Sequence, residues 1–225
     1  GIENNRDKAV QILETGINTY PTIRDKFFGT YINILNGVDR EKAKIVGEIE
    51  IKRRNLITKK SETDWNVIAG TYTSLRMAPQ ADSVTNLWVA QYPKGTMALN
   101  KAYTALFREK DLVKKEAALK NIEANFGFNE PNFKDHTNAD NVYFMMSEAF
   151  AEANDQGKFM TMINKIVNKQ TKAQAINSFA WDAAEKKRNV EFATGLSKQS
   201  LELLEQAKAE VNPAQKNAAQ VIKGI

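Results

Sequence analysis

The 225-residue chain contains no cysteine. Such a chain has no disulfide framework, no thiolate metal ligand and no catalytic thiol. Glycine and proline are also scarce: 11 and 5 residues make up about 7% of the chain, against roughly 12% in typical globular proteins. Because β-sandwiches and barrels need many tight turns, this scarcity argues against both folds.

Long apolar runs are missing as well, since none approaches the roughly 18 residues needed to cross a bilayer. The sequence therefore predicts no membrane insertion. The first residue is Gly1 rather than methionine, and the apolar pattern at 221–225 stops without a helix cap. We expect from these two features a processed protein or a fragment that continues downstream.

The charge balance is weakly basic, with 32 Lys and Arg against 27 Asp and Glu. A basic surface attracts nucleic acid when its charges are clustered. The basic runs at 52–54 and 186–188, however, have acids such as Glu48 and Glu185 beside them. Mixed signs on helix faces are typical of a solvated surface with i,i+4 ion pairs, so we predict no nucleic-acid partner.

Apolar residues recur with helical spacing along most of the chain. The segments 79–92, 112–126 and 172–187 each place apolar side chains on one face of a helix. Gly127 follows the second segment at the position of a helix C-terminal glycine. The sequence thus predicts ten to twelve short helices.

Two patterns indicate helix starts. Thr171 and Gln174 have the spacing of a capping box. Asn212 followed by Pro213 predicts another start, with the asparagine as the cap and the proline at the first helical position.

One short segment, 48–51, alternates charged and apolar residues as a β-strand does. Over a longer window, Ile45, Ile49, Leu56 and Ile57 keep helical spacing instead. We favour a helix here because the helical pattern extends further along the chain.

An internal repeat is indicated by shifting the sequence by 72 residues. The shift places Tyr20-Pro21 on Tyr92-Pro93 and Asp39 on Asp111 without a gap. Seventy-two is twice 36, close to the roughly 34-residue period of tetratricopeptide repeats. The alternative is two unrelated helical hairpins that share a common loop.

Residues 175–187 carry the pattern Asn-Ser-x-Ala-Trp at 177–181, and a second amphipathic segment follows at 189–203. Together they resemble a tetratricopeptide-type helical pair. The Tyr-Pro-Lys-Gly sequence at 92–95 is similar to joints in the same class of protein. This class comprises the helical regions that accompany thioredoxin-like domains in exported bacterial proteins.

The resemblance implies that Ala193 and Ser200 lie where two helices cross closely, and that Val190 opens the second helix. The sequence departs from the family at Trp181, where a glycine is usual, and at Pro213, where the closing proline comes late. A thioredoxin-like domain carries a Cys-x-x-Cys motif, so the resemblance places any redox chemistry outside this chain. It also implies the periplasm or cell envelope, with the cytoplasm as the alternative.

Taken together, these patterns predict an all-α fold of stacked antiparallel helical hairpins, a tetratricopeptide-like right-handed array. We expect an N-terminal hairpin array over 1–128 and tetratricopeptide-like helices over 139–225, joined by the loop 128–138. Such arrays expose a long concave face that holds other polypeptides. The predicted function is therefore a non-catalytic module that binds a protein or peptide.

Methionine and aromatic residues concentrate in one region. Most such clusters are core, but methionine also lines adaptable grooves that accept varied apolar partners. The candidate partner-binding residues are Phe144, Met145, Met146, Phe159, Met160 and Met162.

An enzyme is the alternative. Glu148 and Glu152 stand one helical turn apart and His136 is the single histidine, a set that suits a helical hydrolase or carboxylate-metal enzyme. A single histidine with flexible acids is a poor zinc ligand set, and such a carboxylate pair is usually a polar surface stripe. No glycine-rich phosphate or dinucleotide motif occurs, so no cofactor is predicted.

Overall fold

The computed structural model describes the backbone of residues 2–127 and 136–210, and within these ranges the side chains of residues 5–127 and 138–210. These parts of the chain form α helices and no strand, which confirms the all-α prediction. The helices are α1 (Ile2–Thr19), α2 (Pro21–Val38), α3 (Arg40–Asn55), α4 (Glu62–Ser74), α5 (Ala78–Gln91), α6 (Thr96–Arg108), α7 (Leu112–Phe126), α8 (His136–Glu152), α9 (Gln156–Lys165), α10 (Lys169–Glu185) and α11 (Val190–Glu210). None of these helices is long and apolar enough to cross a bilayer.

The two segments matched by the 72-residue shift share two helix boundaries, the end of α1 and α5 and the start of α3 and α7, whereas α6 begins three residues later than the shift of α2 predicts. Tyr20 separates α1 from α2, and Tyr92 ends α5 with nearly the same backbone angles. Asp39 caps α3 by accepting a hydrogen bond from the backbone N–H three residues later at 2.9 Å. Asp111 caps α7 in the same way at 2.9 Å. Each cap satisfies a backbone donor at the helix start that has no partner within the helix.

The other local predictions have mixed outcomes. Gly127 ends α7 in the left-handed conformation with φ 63°, as predicted. The segment 48–51 lies inside α3, so the favoured helix is confirmed. The capping box at Thr171 and Gln174 is wrong, because Asn168 caps α10 and accepts from the Thr171 N–H at 2.9 Å. The predicted start at 212–213 lies outside the described residues.

The chain divides into two compact units, unit 1 (Gly1–Lys101) and unit 2 (Ala102–Ile225). The boundary falls inside α6. Most of the loop 128–138, where we expected the joint between 1–128 and 139–225, lies outside the described residues.

In unit 1, α2 contacts α1, α3 and α4, while α4 also contacts α3 and α5. Two clusters of buried apolar side chains fill these contacts, and each fully buried large side chain contributes about 1.5–3 kcal/mol. The first comprises Val10, Ile17, Phe28, Tyr31, Ile32, Leu35, Ala43, Val67 and Leu75. The second comprises Ile51, Trp65, Ile68 and Trp88.

In unit 2, α8 contacts α7, α9 and α10, and α10 also contacts α9 and α11. The connections between α8 and α9 and between α10 and α11 are three or four residues long, so each packed pair runs antiparallel. Ser200 of α11 is buried and donates to the Ala173 carbonyl of α10 at 3.0 Å. A small residue at this position lets the two helices approach closely.

The contacts alternate in the same way in both units. In unit 1, α2 packs on the next helix and on the helix after it, and α8 does the same in unit 2. The even-numbered helices from α2 to α10 begin at intervals of 33 to 41 residues.

A buried ion network joins α2, α3 and α4. Glu50 and Arg54 of α3 are 0% and 1% exposed and pair at 2.8 Å. Arg24 of α2 donates to Glu50 at 3.1 Å, and Arg54 donates to Asp64 at the start of α4 at 2.5 Å. Arg54 also donates to Asp25 of α2. The prediction of a solvated surface for the basic run 52–54 is therefore wrong for Arg54, whose guanidinium has acids of three helices around it.

Gly47 lies at a close contact between α3 and α4. A Cβ there would stand 2.9 Å from Thr71 Cγ2 and 3.0 Å from Leu75 Cδ1. Thr71 cannot rotate away freely, because its hydroxyl donates to the Val67 carbonyl at 2.7 Å.

We therefore expect Gly47→Ala to lower the free energy of unfolding of unit 1 by about 1–3 kcal/mol. The control is Gly70→Ala in α4, where a Cβ meets nothing within 4 Å and helix propensity should raise stability by up to about 1 kcal/mol. Urea denaturation followed by the fluorescence of Trp65 and Trp88 measures both. Equal effects of the two substitutions would contradict the close contact.

Candidate partner-binding groove

A groove of about 160 Å³ lies in unit 2 between α8, α9 and α10, and we name it the acidic groove. It contains two of the acids and one of the aromatic residues that the sequence singled out. Its lining residues are Glu148, Ala151, Glu152, Phe159, Ala175, Ser178, Phe179 and Asp182.

The three carboxylates of the acidic groove differ in whether a basic side chain forms an ion pair with them. Asp182 pairs with Lys186 at 2.5 Å and with Arg188 at 2.8 Å. Glu148 and Glu152, one turn apart on α8, form no ion pair with any side chain that the structure describes. The α8 wall therefore carries two uncompensated negative charges.

Partial burial in the groove raises the pKa of Glu148, and the charge of Glu152 raises it further. Both causes disfavour the ionised carboxylate. A cation placed between Glu148 and Glu152 would offset the repulsion between the two carboxylates and so favour the ionised form of Glu148. The electrostatics of this wall thus favour a positively charged ligand.

Aromatic rings form the floor of the acidic groove. Phe159 of α9 is 1% exposed, and its ring centroid lies 4.5 Å from that of Phe179 on α10. Phe192 of α11 contacts Phe179 edge to face at 5.5 Å. The contacts among these rings join α9, α10 and α11 and fix the shape of the groove floor.

Trp181 lies next to Asp182 on α10 and is 68% exposed. Trp181 does not line the acidic groove, but an exposed tryptophan is a common anchor in protein interfaces. The sequence reasoning noted Trp181 only as a departure from a family pattern. Its position off the apolar face of α10 was the signal that could have identified it.

The six candidate partner-binding residues are not equivalent. Met146, Phe159 and Met162 are buried, whereas Phe144, Met145 and Met160 are half-buried. Phe159 alone among them lines the acidic groove. Burial of Met146 and Met162 favours the core interpretation for these two side chains.

The enzyme alternative requires His136 near Glu148 and Glu152. His136 is the first residue of α8, and its side chain lies outside the described residues. Glu148 follows twelve residues later, which is about 18 Å along a helix axis, so α8 does not bring these residues to one point. Among the side chains described, no group of three or more His, Asp or Glu residues is arranged to hold a metal ion.

Comparison of the chain with protein-family models, with curated proteins and with solved structures gives no significant match.

Proposed function

We propose that this chain is a non-catalytic helical-repeat module that binds a basic segment of another protein in the acidic groove. Its helical hairpins stack in this proposal as a tetratricopeptide-like array. The observation that carries it is the pair Glu148 and Glu152, which faces the groove without a described cation to neutralise it.

The repeat part of the proposal is supported by the alternating contacts of the helices. In a tetratricopeptide array each two-helix element packs on its neighbour, which buries a continuous core and leaves a surface for binding. Within unit 2, α8 contacts both α9 and α10, and α10 contacts α11. The acidic groove lies where one element meets the next.

The size of the acidic groove supports a peptide side chain rather than a free small molecule. At about 160 Å³ it is smaller than the roughly 300–1,000 Å³ of typical small-molecule sites. A lysine or arginine side chain fits the chemistry, because its stem would contact apolar lining while its charge reaches Glu148 and Glu152. Trp181 would then contact the flanking residues of the peptide.

The proposal also covers the class of partner that would supply the basic segment. The resemblance of 175–203 to helical regions of thioredoxin-associated proteins supports a place beside such a domain in an exported bacterial protein. A basic segment of that domain, or of its substrate, would be the occupant of the acidic groove.

Titration with labelled nonapeptides tests the proposal. We expect a peptide with a central arginine to bind saturably and to change Trp181 fluorescence, while the same peptide with central glutamate does not bind. The double variant Glu148→Gln/Glu152→Gln should weaken binding about tenfold or more, because it removes two charge-assisted contacts.

The matched control is Glu191→Gln/Glu202→Gln, which removes the same charge from exposed positions of α11. It should leave the affinity unchanged. Equal binding of the arginine and glutamate peptides, or equal losses in the two double variants, would overturn the proposal.

A further inference from the structure

A cavity of about 680 Å³ lies in unit 1 between α1, α2 and the end of α4. This volume is in the range of small-molecule sites. Most of its lining residues have polar or charged side chains: Asn5, Arg6, Ala9, Asn33, Ile34, Asn36, Gly37, Thr73, Ser74 and Arg76.

The charged side chains that line this cavity are all basic. Arg6 and Arg76 stand exposed at its mouth, and no Asp or Glu occurs among its described lining residues. Neither arginine forms an ion pair with a described side chain. A guanidinium group without a carboxylate partner is suited to bidentate contact with a carboxylate or phosphate.

Arg76 is held in an unusual backbone conformation. It follows the last turn of α4 with φ 60°, and the next residue, Met77, donates to the Tyr72 carbonyl at 2.9 Å. This is the helix ending at which glycine is usually found, since other residues are strained there. The ending fixes the point from which the Arg76 side chain extends at the cavity mouth.

Asn36 joins α2 to the end of α4 in the cavity wall. Its Nδ2 donates to the Ser74 carbonyl at 2.9 Å, which fixes the orientation of the amide. Its Oδ1 is buried and accepts no hydrogen bond from the described residues. This oxygen is closed to the cavity, so Asn36 holds the cavity wall together and does not contact a ligand.

We propose that this cavity binds a small organic anion of sugar size. Arg6 and Arg76 contact its phosphate or carboxylate group. The site shares no residue with the acidic groove of unit 2 and carries the opposite charge. A failure of one assignment therefore leaves the other unaffected.

Isothermal titration calorimetry with four probes tests the proposal: glucose 6-phosphate, glucuronate, uncharged glucose and inorganic phosphate. We expect saturable binding of at least one of the two charged sugars, and weaker binding of glucose and of inorganic phosphate. Arg76→Gly should reduce the affinity about ten- to a hundredfold, while the melting temperature of the free protein stays equal or rises because glycine relieves the strain at this position.

Two further variants complete the test. Arg6→Gln should lose affinity as Arg76→Gly does, whereas Lys8→Gln, an exposed position of α1 outside the cavity, should retain it. The proposal is overturned if neither charged sugar binds, or if binding survives both arginine substitutions. Equal affinity for inorganic phosphate and glucose 6-phosphate would overturn a ligand of sugar size.

Discussion

Replacing Glu50 by alanine is expected to lower the free energy of unfolding of unit 1 by about 3–5 kcal/mol. Glu50 is fully buried and accepts hydrogen bonds from Arg24, Arg53 and Arg54. Without it Arg54, which is 1% exposed, keeps its charge in the interior with one carboxylate fewer. Removing one partner from a buried ion network is among the most destabilising changes that a single substitution makes.

Glu48→Ala is the control for this effect. Glu48 lies two residues earlier on the exposed side of α3, so its removal should change stability by less than about 0.5 kcal/mol. Urea denaturation followed by Trp65 and Trp88, which are both buried in unit 1, measures the two variants. Similar midpoints for Glu50→Ala and Glu48→Ala would show that the network does not stabilise the fold.

The pH dependence of stability gives a second measure of the same network. Burial alone would raise the pKa of Glu50, but the hydrogen bond from Arg53 and the charges of Arg24, Arg53 and Arg54 outweigh it and lower the pKa to about 2. A carboxyl group whose pKa is lower in the folded state stabilises the fold above its unfolded pKa and loses this effect as the pH falls. The stability difference between wild type and Glu50→Gln should therefore be full at neutral pH and shrink below about pH 4.5.

Helices could be predicted from the sequence because their spacing and caps are local. Asp39, Asp111 and Gly127 each act through backbone groups within a few residues: the two aspartates cap the starts of α3 and α7, and Gly127 ends α7 as expected. The face that a helix buries depends on distant residues. Ile45 and Ile49 correctly indicated a helix over α3, yet they are 59% and 58% exposed. The buried face of α3 instead carries Glu50 and Arg54. The sequence of α3 does not show this, because the acids of α2 and α4 that neutralise Arg54 come close to it only in the folded chain.

The acidic groove could be predicted in part. The spacing of Glu148 and Glu152 places both on one face of α8, and this followed from the sequence alone. Their proximity to Phe159 and Asp182 depends on the packing of α8, α9 and α10, which no local pattern specifies. The exposure of Trp181 depends on the same packing.

Replacing Phe159 by alanine is expected to lower the stability of unit 2 by about 3–5 kcal/mol. Phe159 is 1% exposed and stacks on Phe179, so its removal leaves a cavity among α8, α9 and α10. Phe159 was a candidate partner-binding residue, and its burial predicts that it acts on partners indirectly, by fixing the floor of the acidic groove. Hydrogen exchange of the α8–α10 amides measures the loss, which should appear without any partner present.

Met160→Ala separates this structural role from direct contact. Met160 is the next residue on α9 but is half-buried, so its removal should cost less than about 2 kcal/mol. If Phe159 supports the groove, Phe159→Ala should accelerate exchange across α8–α10 far more than Met160→Ala and should weaken arginine-peptide binding in proportion to the loss of structure. Unchanged exchange in Phe159→Ala together with lost peptide binding would instead make Phe159 a direct contact residue, and the floor of the groove would then have to open when the partner binds.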